Sequence, residues 1–188
     1  MNQIHSDKIH IIKNKKNKFN LIGDGIFTDI KDYALGVLTA DCAPIFIFDS
    51  NYKFICSLHS GWKGTLKNIV KNAVELFVKN KIKKKDIIVI IGPCLGKENF
   101  ETKNNFKNKF LKVDKNYIKF FKYKNTNKDL FDMRGLINYQ LDKLKIQNVY
   151  NIRKDTYSNS RLFFSHRRSC HKLDKQTGRM LNIISFQE

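Results

Sequence analysis

The chain has 188 residues, 41% hydrophobic and 12% aromatic, which suffices for one well-cored domain, leaves too little length for two, and excludes global disorder. Its 36 basic and 17 acidic residues give a formal net charge of +19, which raises a nucleic-acid reading that must be weighed against how the charge is spread. There is no run of about 18 apolar residues that could form a membrane-spanning helix, and the start Met1-Asn2-Gln3-Ile4-His5-Ser6-Asp7 lacks the layout of a secretory signal.

In chain order, Ala34–Thr39 and Ile45–Phe48 are short apolar runs flanking Ala40-Asp41-Cys42-Ala43-Pro44, and they predict two buried strands with a proline-containing turn between them. Phe54–His59 predicts a third strand, ending at Ser60-Gly61-Trp62. From Lys63 to Lys79 the apolar positions Leu66, Ile69, Val70, Ala73, Val74 and Phe77 follow helical spacing. Asp86–Ile91 is a β-branched strand that stops at Gly92-Pro93. Asp129 is placed to cap a helix running to about Lys145, with Leu130, Met133, Leu136, Ile137, Leu141 and Leu144 inward. Asn148–Ile152, Leu162–Ser165 and Met180–Phe186 predict further strands. Strands both adjacent and separated by helices point to an α/β (α+β) domain with mixed sheets flanked by helices. No repeat or linker divides the chain, so residues 1–188 read as a single domain.

The lysines stand in nearly every polar segment, often beside asparagine, as in Lys13-Asn14-Lys15-Lys16-Asn17-Lys18 and Lys103-Asn104-Asn105, and there are only six arginines. A specific nucleic-acid reader would favour arginine and interleave exposed aromatics. The expectation is a solvated basic surface with weak, salt-sensitive binding to polyanions, and no specific nucleic-acid or membrane partner. The four cysteines, Cys42, Cys56, Cys94 and Cys170, are far apart with no CxxC pair, so reduced thiols in a cytoplasmic setting are expected.

His5, Cys42 and His59 each border a strand-like run beside small or turn residues. Taken singly they have plain readings: Cys42 as a small buried hydrophobe, His59 as a core histidine bonded to backbone, His5 as a terminal residue. Their spacing matches no local metal motif. Brought together by strand ends, a thiolate and two imidazoles would make a sound zinc shell with a fourth position open.

Five segments resemble, in order and across almost the whole chain, the signature blocks of the YfiH-type laccase-domain family. They are Gln3-Ile4-His5-Ser6, Leu38-Thr39-Ala40-Asp41-Cys42-Ala43-Pro44, Leu58-His59-Ser60-Gly61-Trp62-Lys63-Gly64, Ile91-Gly92-Pro93-Cys94-Leu95-Gly96, and Phe163-Phe164-Ser165-His166-Arg167-Arg168 with Thr177-Gly178-Arg179. The resemblance implies zinc on His5, Cys42 and His59, with copper able to replace it. It also implies a purine nucleoside phosphorylase, some members deaminating adenosine. The older family name, polyphenol oxidase, implies copper chemistry. Five histidines in total are too few for a blue-copper site plus a trinuclear cluster, so a self-contained multicopper centre is disfavoured.

Phosphorolysis must hold an anion and stabilise the departing base, and the candidates are the basic groups near the metal, namely Lys63 (where the family pattern has Arg), Arg167 and Arg168. Asp41 is the candidate acid/base residue, or else the acceptor that orients a metal-binding histidine. Arg167 and Arg168 read equally well as structural ion pairs, Trp62 as a packing residue, and Gly92-Pro93 with Gly96 as a turn rather than a phosphate cradle. Three departures stand out. The first block lies almost at the start of the chain, implying a domain shortened at its N-terminus, without the Asn-Arg pair of a preceding segment and with His5 exposed to fraying. His166 stands where the family often has Tyr, and Asp155-Thr156-Tyr157 where many members have Cys-Thr. Competing readings are a Cys42/His59 amide hydrolase, an editing enzyme for cell-wall precursors, and a non-catalytic zinc- or nucleoside-binding module.

Overall fold

The computed structural model describes residues 1–14, 20–174 and 176–186; the Lys15–Lys18 part of the lysine–asparagine run lies outside them. Six strands make the main sheet, in the order β1 (Ile9–Ile12), β2 (Gly25–Thr28), β5 (Ile55–Ser60), β4 (Ala43–Asp49), β6 (Ile87–Ile91) and β10 (Asn148–Asn151). The β1–β2 and β6–β10 pairs are parallel and the inner pairs antiparallel, so the sheet is mixed. A two-stranded ribbon pairs β3 (Ala34–Thr39) with β11 (Met180–Ser185), and a small sheet runs β7 (Glu101–Lys103), β9 (Lys128–Phe131), β8 (Phe121–Asn125).

Helices α1 (Trp62–Leu66), α2 (Ile69–Lys79) and α4 (Met133–Lys143) pack on one another, and α1 and α2 pack on β5. The β3–β11 ribbon also lies against β5. Covered in this way, β5 is buried at all six positions, which explains a run, Ile55-Cys56-Ser57-Leu58-His59-Ser60, that shows no polar alternation. Helix α3 (Asn104–Leu111) sits beside the small sheet. There Phe110, Phe121 and Phe106 surround Phe131 at ring separations of 4.8, 4.8 and 5.4 Å, and Trp62 joins through Phe106 at 5.1 Å. Such edge and offset contacts add to the area these rings bury. Helix α5 (His166–Lys172) completes the fold, which is the α/β class with sheets flanked by helices that the sequence predicts.

Several elements differ from their expected bounds for local reasons. The helix expected over Lys63–Lys79 is broken at Asn68, whose φ of 60° ends α1 while its side chain accepts from the Lys71 nitrogen to start α2. Asparagine tolerates this left-handed conformation and caps well. The fourth helix is capped by Asp132, not Asp129. Asp129 lies buried in β9, ion-paired to Lys107 at 2.9 Å. Pro44 is the second residue of β4 rather than part of the turn; its carbonyl accepts from the Gly92 nitrogen at 2.8 Å. Leu162–Ser165 is not a strand. The Arg168 guanidinium takes up the carbonyls of Thr156, Tyr157 and Phe163 there, and Ser165 caps α5 by accepting from the Arg168 nitrogen. Among the described residues, no helix is long and apolar enough to cross a membrane.

Candidate metal centre

Asp24 organises the site from a position no sequence pattern marked. It lies between Gly23 and Gly25 in the turn leading into β2, and it is fully buried. Its carbonyl accepts from the His59 nitrogen at 2.7 Å. Its carboxylate accepts from His59 Nδ1 at 2.8 Å, from the backbone nitrogens of Ile4, His5 and Ser6 at 3.2, 2.9 and 2.6 Å, and from the Ser6 hydroxyl at 2.7 Å. One side chain therefore ties the N-terminal segment to the end of β5. Burial alone would push this carboxyl up. The bonds from His59, Ser6 and His5 outweigh it and hold the group well below the usual carboxylate range.

The segment carrying His5 is fastened elsewhere too. The Gln3 carboxamide donates to the Leu38 carbonyl and accepts from the Leu38 nitrogen, at 2.8 and 2.7 Å. The Asn2 nitrogen donates to the Leu21 carbonyl at 2.7 Å. These bonds oppose the fraying expected for His5.

Cys42 comes from the turn between β3 and β4. Asp41 holds that turn, with a φ of 83°, by accepting from the Thr156 hydroxyl and the Arg167 backbone nitrogen, each at 2.6 Å. His5 also has a positive φ, of 58°. Left-handed backbone at a non-glycine residue costs about 1–3 kcal/mol and persists where surrounding bonds over-determine it. Both residues meet that condition.

The result is that one ligand atom each from His5, Cys42 and His59 lies within 4.8 Å of the others. The donor set and geometry fit a metal ion. His59 spends Nδ1 on Asp24, which leaves Nε2 for the metal, the usual carboxylate–imidazole–metal arrangement. Gly61 leaves room for the cluster, since a Cβ there would come within 2.8 Å of Cys42 Sγ and 2.9 Å of His5 Cδ2. Burial first, and the Asp41 charge second, push the Cys42 thiol up to about 12. A cation is what would make such a thiol a thiolate at neutral pH. Burial, then the neighbouring His59, lowers His5 and favours the neutral imidazole that metals bind.

The three donors line a cavity of about 1000 Å³. One wall is apolar (Trp62, Leu95, Phe100, Phe106 and Met133), while Lys103, Lys109, Arg167, Arg179 and His166 bring polar groups. The other expected site residues are placed as follows. The Arg167 backbone meets Asp41, and its guanidinium donates to the carbonyls of Asn99 and Glu101 at 3.2 and 2.9 Å while still lining the cavity. Arg168 lines a separate depression, its guanidinium bonded to backbone carbonyls. Lys63 is exposed, its Nζ 5.6 Å from the Trp62 ring centre. Lys109 stands over the same ring at 5.2 Å and does line the cavity. Among the described residues Asp41 has no hydrogen bond to His5 or His59, and Asp24 is the acceptor that orients His59. Trp62 both packs and lines the cavity.

Relatives bear on this architecture. The family model described as multi-copper polyphenol oxidoreductase laccase matches residues 1–187. The chain is 29% identical over 187 residues to a Rickettsia conorii protein named purine nucleoside phosphorylase, covering 98% of this chain and 76% of that one. A Haemophilus influenzae protein of the same name is 28% identical over 189 residues, covering 100% and 73%. Among solved structures, Bacillus licheniformis YfiH superposes with a TM-score of 0.89 at 25% identity, covering 98% of this chain and 72% of that one. Geobacillus stearothermophilus YlmD gives 0.86 at 25%, covering 99% and 72%. With its fold and almost its whole length matched, the chain belongs to the multi-copper polyphenol oxidoreductase laccase family.

Proposed function

We propose that this protein is a zinc-dependent purine nucleoside phosphorylase acting on adenosine- or inosine-type nucleosides, with adenosine deamination as a second activity of the same cavity. The observation that carries the reading is the meeting, in one cavity, of a His–Cys–His donor set with an open side, an aromatic wall and several cations. Relatives named purine nucleoside phosphorylase support this choice of substrate class. The volume lies at the upper end of the range for small-molecule sites, enough for a nucleoside beside a phosphate.

Bound by His5, Cys42 and His59, zinc would supply Lewis-acid polarisation of a substrate atom at its open position. The rest falls to the chain. Trp62, Phe100 and Phe106 offer faces and edges to a purine and keep water from the bond that breaks. Lys109, Lys103 and the part of the Arg179 guanidinium not bonded to the Thr177 and Gly178 carbonyls are the cations for phosphate, since Arg168 and most of the Arg167 fork are spent on backbone carbonyls. Ammonium and guanidinium groups fixed around the anion hold it in line with the anomeric carbon, which is positioning and electrostatic stabilisation together.

A second reading, a thiol hydrolase, has one observation in its favour: Asp24 orients His59 as it would orient a catalytic base. Burial that pushes the Cys42 thiol up to about 12 works against a free nucleophile. The deciding experiment measures metal content and the turnover of adenosine and inosine with and without phosphate, for wild type, Cys42→Ala and chelator-treated protein. Stoichiometric zinc and phosphate-dependent base release, both lost on Cys42→Ala and on chelation, are expected. Amide hydrolysis that survives chelation would favour the thiol enzyme, and metal without turnover a binding module.

A further inference from the structure

We propose that His166 is the proton donor to the departing purine base. The inference rests on the phosphorylase reading above. When the bond between the anomeric carbon and the base breaks, its electron pair passes into the purine ring. A proton delivered to a ring nitrogen then lets the base leave neutral. Among described side chains that line the cavity, few can make that delivery. His5, Cys42 and His59 are the metal donors. Asp41 has one carboxylate oxygen on Thr156 and the other on Arg167. Glu101 is held by Lys124 and Lys128, which bring its carboxyl down to about 2, so it carries no proton at neutral pH. Lysine and arginine hold theirs too tightly. Among the described side chains that line the cavity, the imidazole of His166 is the one left to carry a proton to the base.

Its placement suits the task. His166 opens α5, and its neighbour Arg167 is bonded by its backbone nitrogen to Asp41, the residue next to Cys42. The start of the helix is thus fixed to the turn that presents the metal donor. Arg168, the next residue, is anchored by three carbonyls and by the Ser165 cap. His166 is exposed and lines the cavity, with Nε2 3.6 Å from the Cys170 sulfur one helical turn on. Its second nitrogen has no protein partner among the described residues.

The step balances as follows. A phosphate oxygen forms a bond to the anomeric carbon as the bond to the base breaks. The proton on the imidazolium moves to N7 of the purine, and the proton released as hydrogen phosphate becomes the sugar phosphate ester restores the imidazolium. No oxidant or further reactant enters.

The test compares wild type with His166→Gln on two substrates, inosine and 7-methylinosine. The methylated base leaves neutral without taking up a proton, so it bypasses the donor. Because the side chain is exposed, the variant is expected to keep the wild-type metal content and unfolding midpoint, and both are measured. The expected result is a fall of about 10²–10⁴-fold in inosine phosphorolysis with 7-methylinosine turnover unchanged. Equal losses on both substrates, or no loss on either, would overturn the proposal. Wild type that cleaves neither nucleoside would overturn the phosphorylase reading itself, and the role of His166 with it.

Discussion

Asp24 Oδ1 accepts from His59 Nδ1 at 2.8 Å while the same carboxylate gathers the backbone nitrogens of residues 4, 5 and 6. A candidate metal donor on β5 and another on the N-terminal segment therefore share one acceptor, so orientation of His59 and position of His5 are a single structural fact. Asp24→Asn keeps the size but turns one acceptor into a donor facing N–H groups. The variant is expected to bind zinc about 10–100-fold more weakly and to melt at lower temperature. Competition with a chromogenic chelator reads the first effect and calorimetry the second. Unchanged zinc affinity would show that His59 needs no carboxylate behind it.

Gly61 gives a cleaner probe of space at the cluster. Its φ of −81° suits any residue, so an added methyl group acts by contact alone, 2.8 Å from Cys42 Sγ and 2.9 Å from His5 Cδ2. Overpacking of this kind costs about 1–3 kcal/mol. At Gly61→Ala the cost is expected to fall on the metal-bound state, with weaker zinc binding and an apo protein close to wild type in unfolding midpoint. An equal loss of apo stability would place the strain in the scaffold instead.

Part of the acid sensitivity should trace to Asp155. Burial opposes ionisation of this carboxyl, but bonds from Ser158, the backbone nitrogens of Gly96 and Tyr157, and Asn99 outweigh it and lower its pKa. A carboxyl lowered by folding adds stability in full above its unfolded value, about 3.9, and loses it as pH falls through the folded value. In denaturant titrations the gap between wild type and Asp155→Asn is expected to be widest near neutrality and to close as pH drops below about 4. Glu101, held down to about 2 by Lys124 and Lys128, behaves likewise but is more exposed, so salt should erase its share first.

The His5–Cys42–His59 cluster could be anticipated because each residue sits inside a recognisable segment. Asp24 was not: Gly23-Asp24-Gly25 reads as an ordinary turn, and its five donors come together only once β2 lies beside β5. Arg179 stood in a recognisable segment but had no reason to be singled out before the cavity existed, and His166 stood out only as a departure from the family pattern, with no role attached. The strands β7 and β8 escaped because they are short and carry Lys and Glu on exposed faces. Leu162–Ser165 misled for the opposite reason, an apolar run whose Phe163 carbonyl is taken by the Arg168 side chain and whose Ser165 caps a helix. Capping followed the same logic, since Asp129 and Asp132 are equally good caps by type and only the β9 pairing decides between them.

The final prediction concerns the turn that carries Cys42. Asp41 is nearly buried and Thr156 fully so, and the bond between them closes a link between the β3–β4 turn and the loop before α5. Thr156→Val removes one donor to a charged acceptor, a loss of about 1.5–3 kcal/mol. Asp41→Asn preserves the residue type most at ease with positive φ but weakens both bonds, including that from the Arg167 nitrogen. Because the two side chains share a bond, their effects should not add. The double variant is expected to be more stable than the sum of the singles allows, with a coupling of about 0.5–3 kcal/mol in a denaturant cycle. Simple additivity would mean that Asp41 holds the turn through Arg167 alone. In that case zinc affinity, measured on the same variants, should follow Asp41→Asn and ignore Thr156→Val.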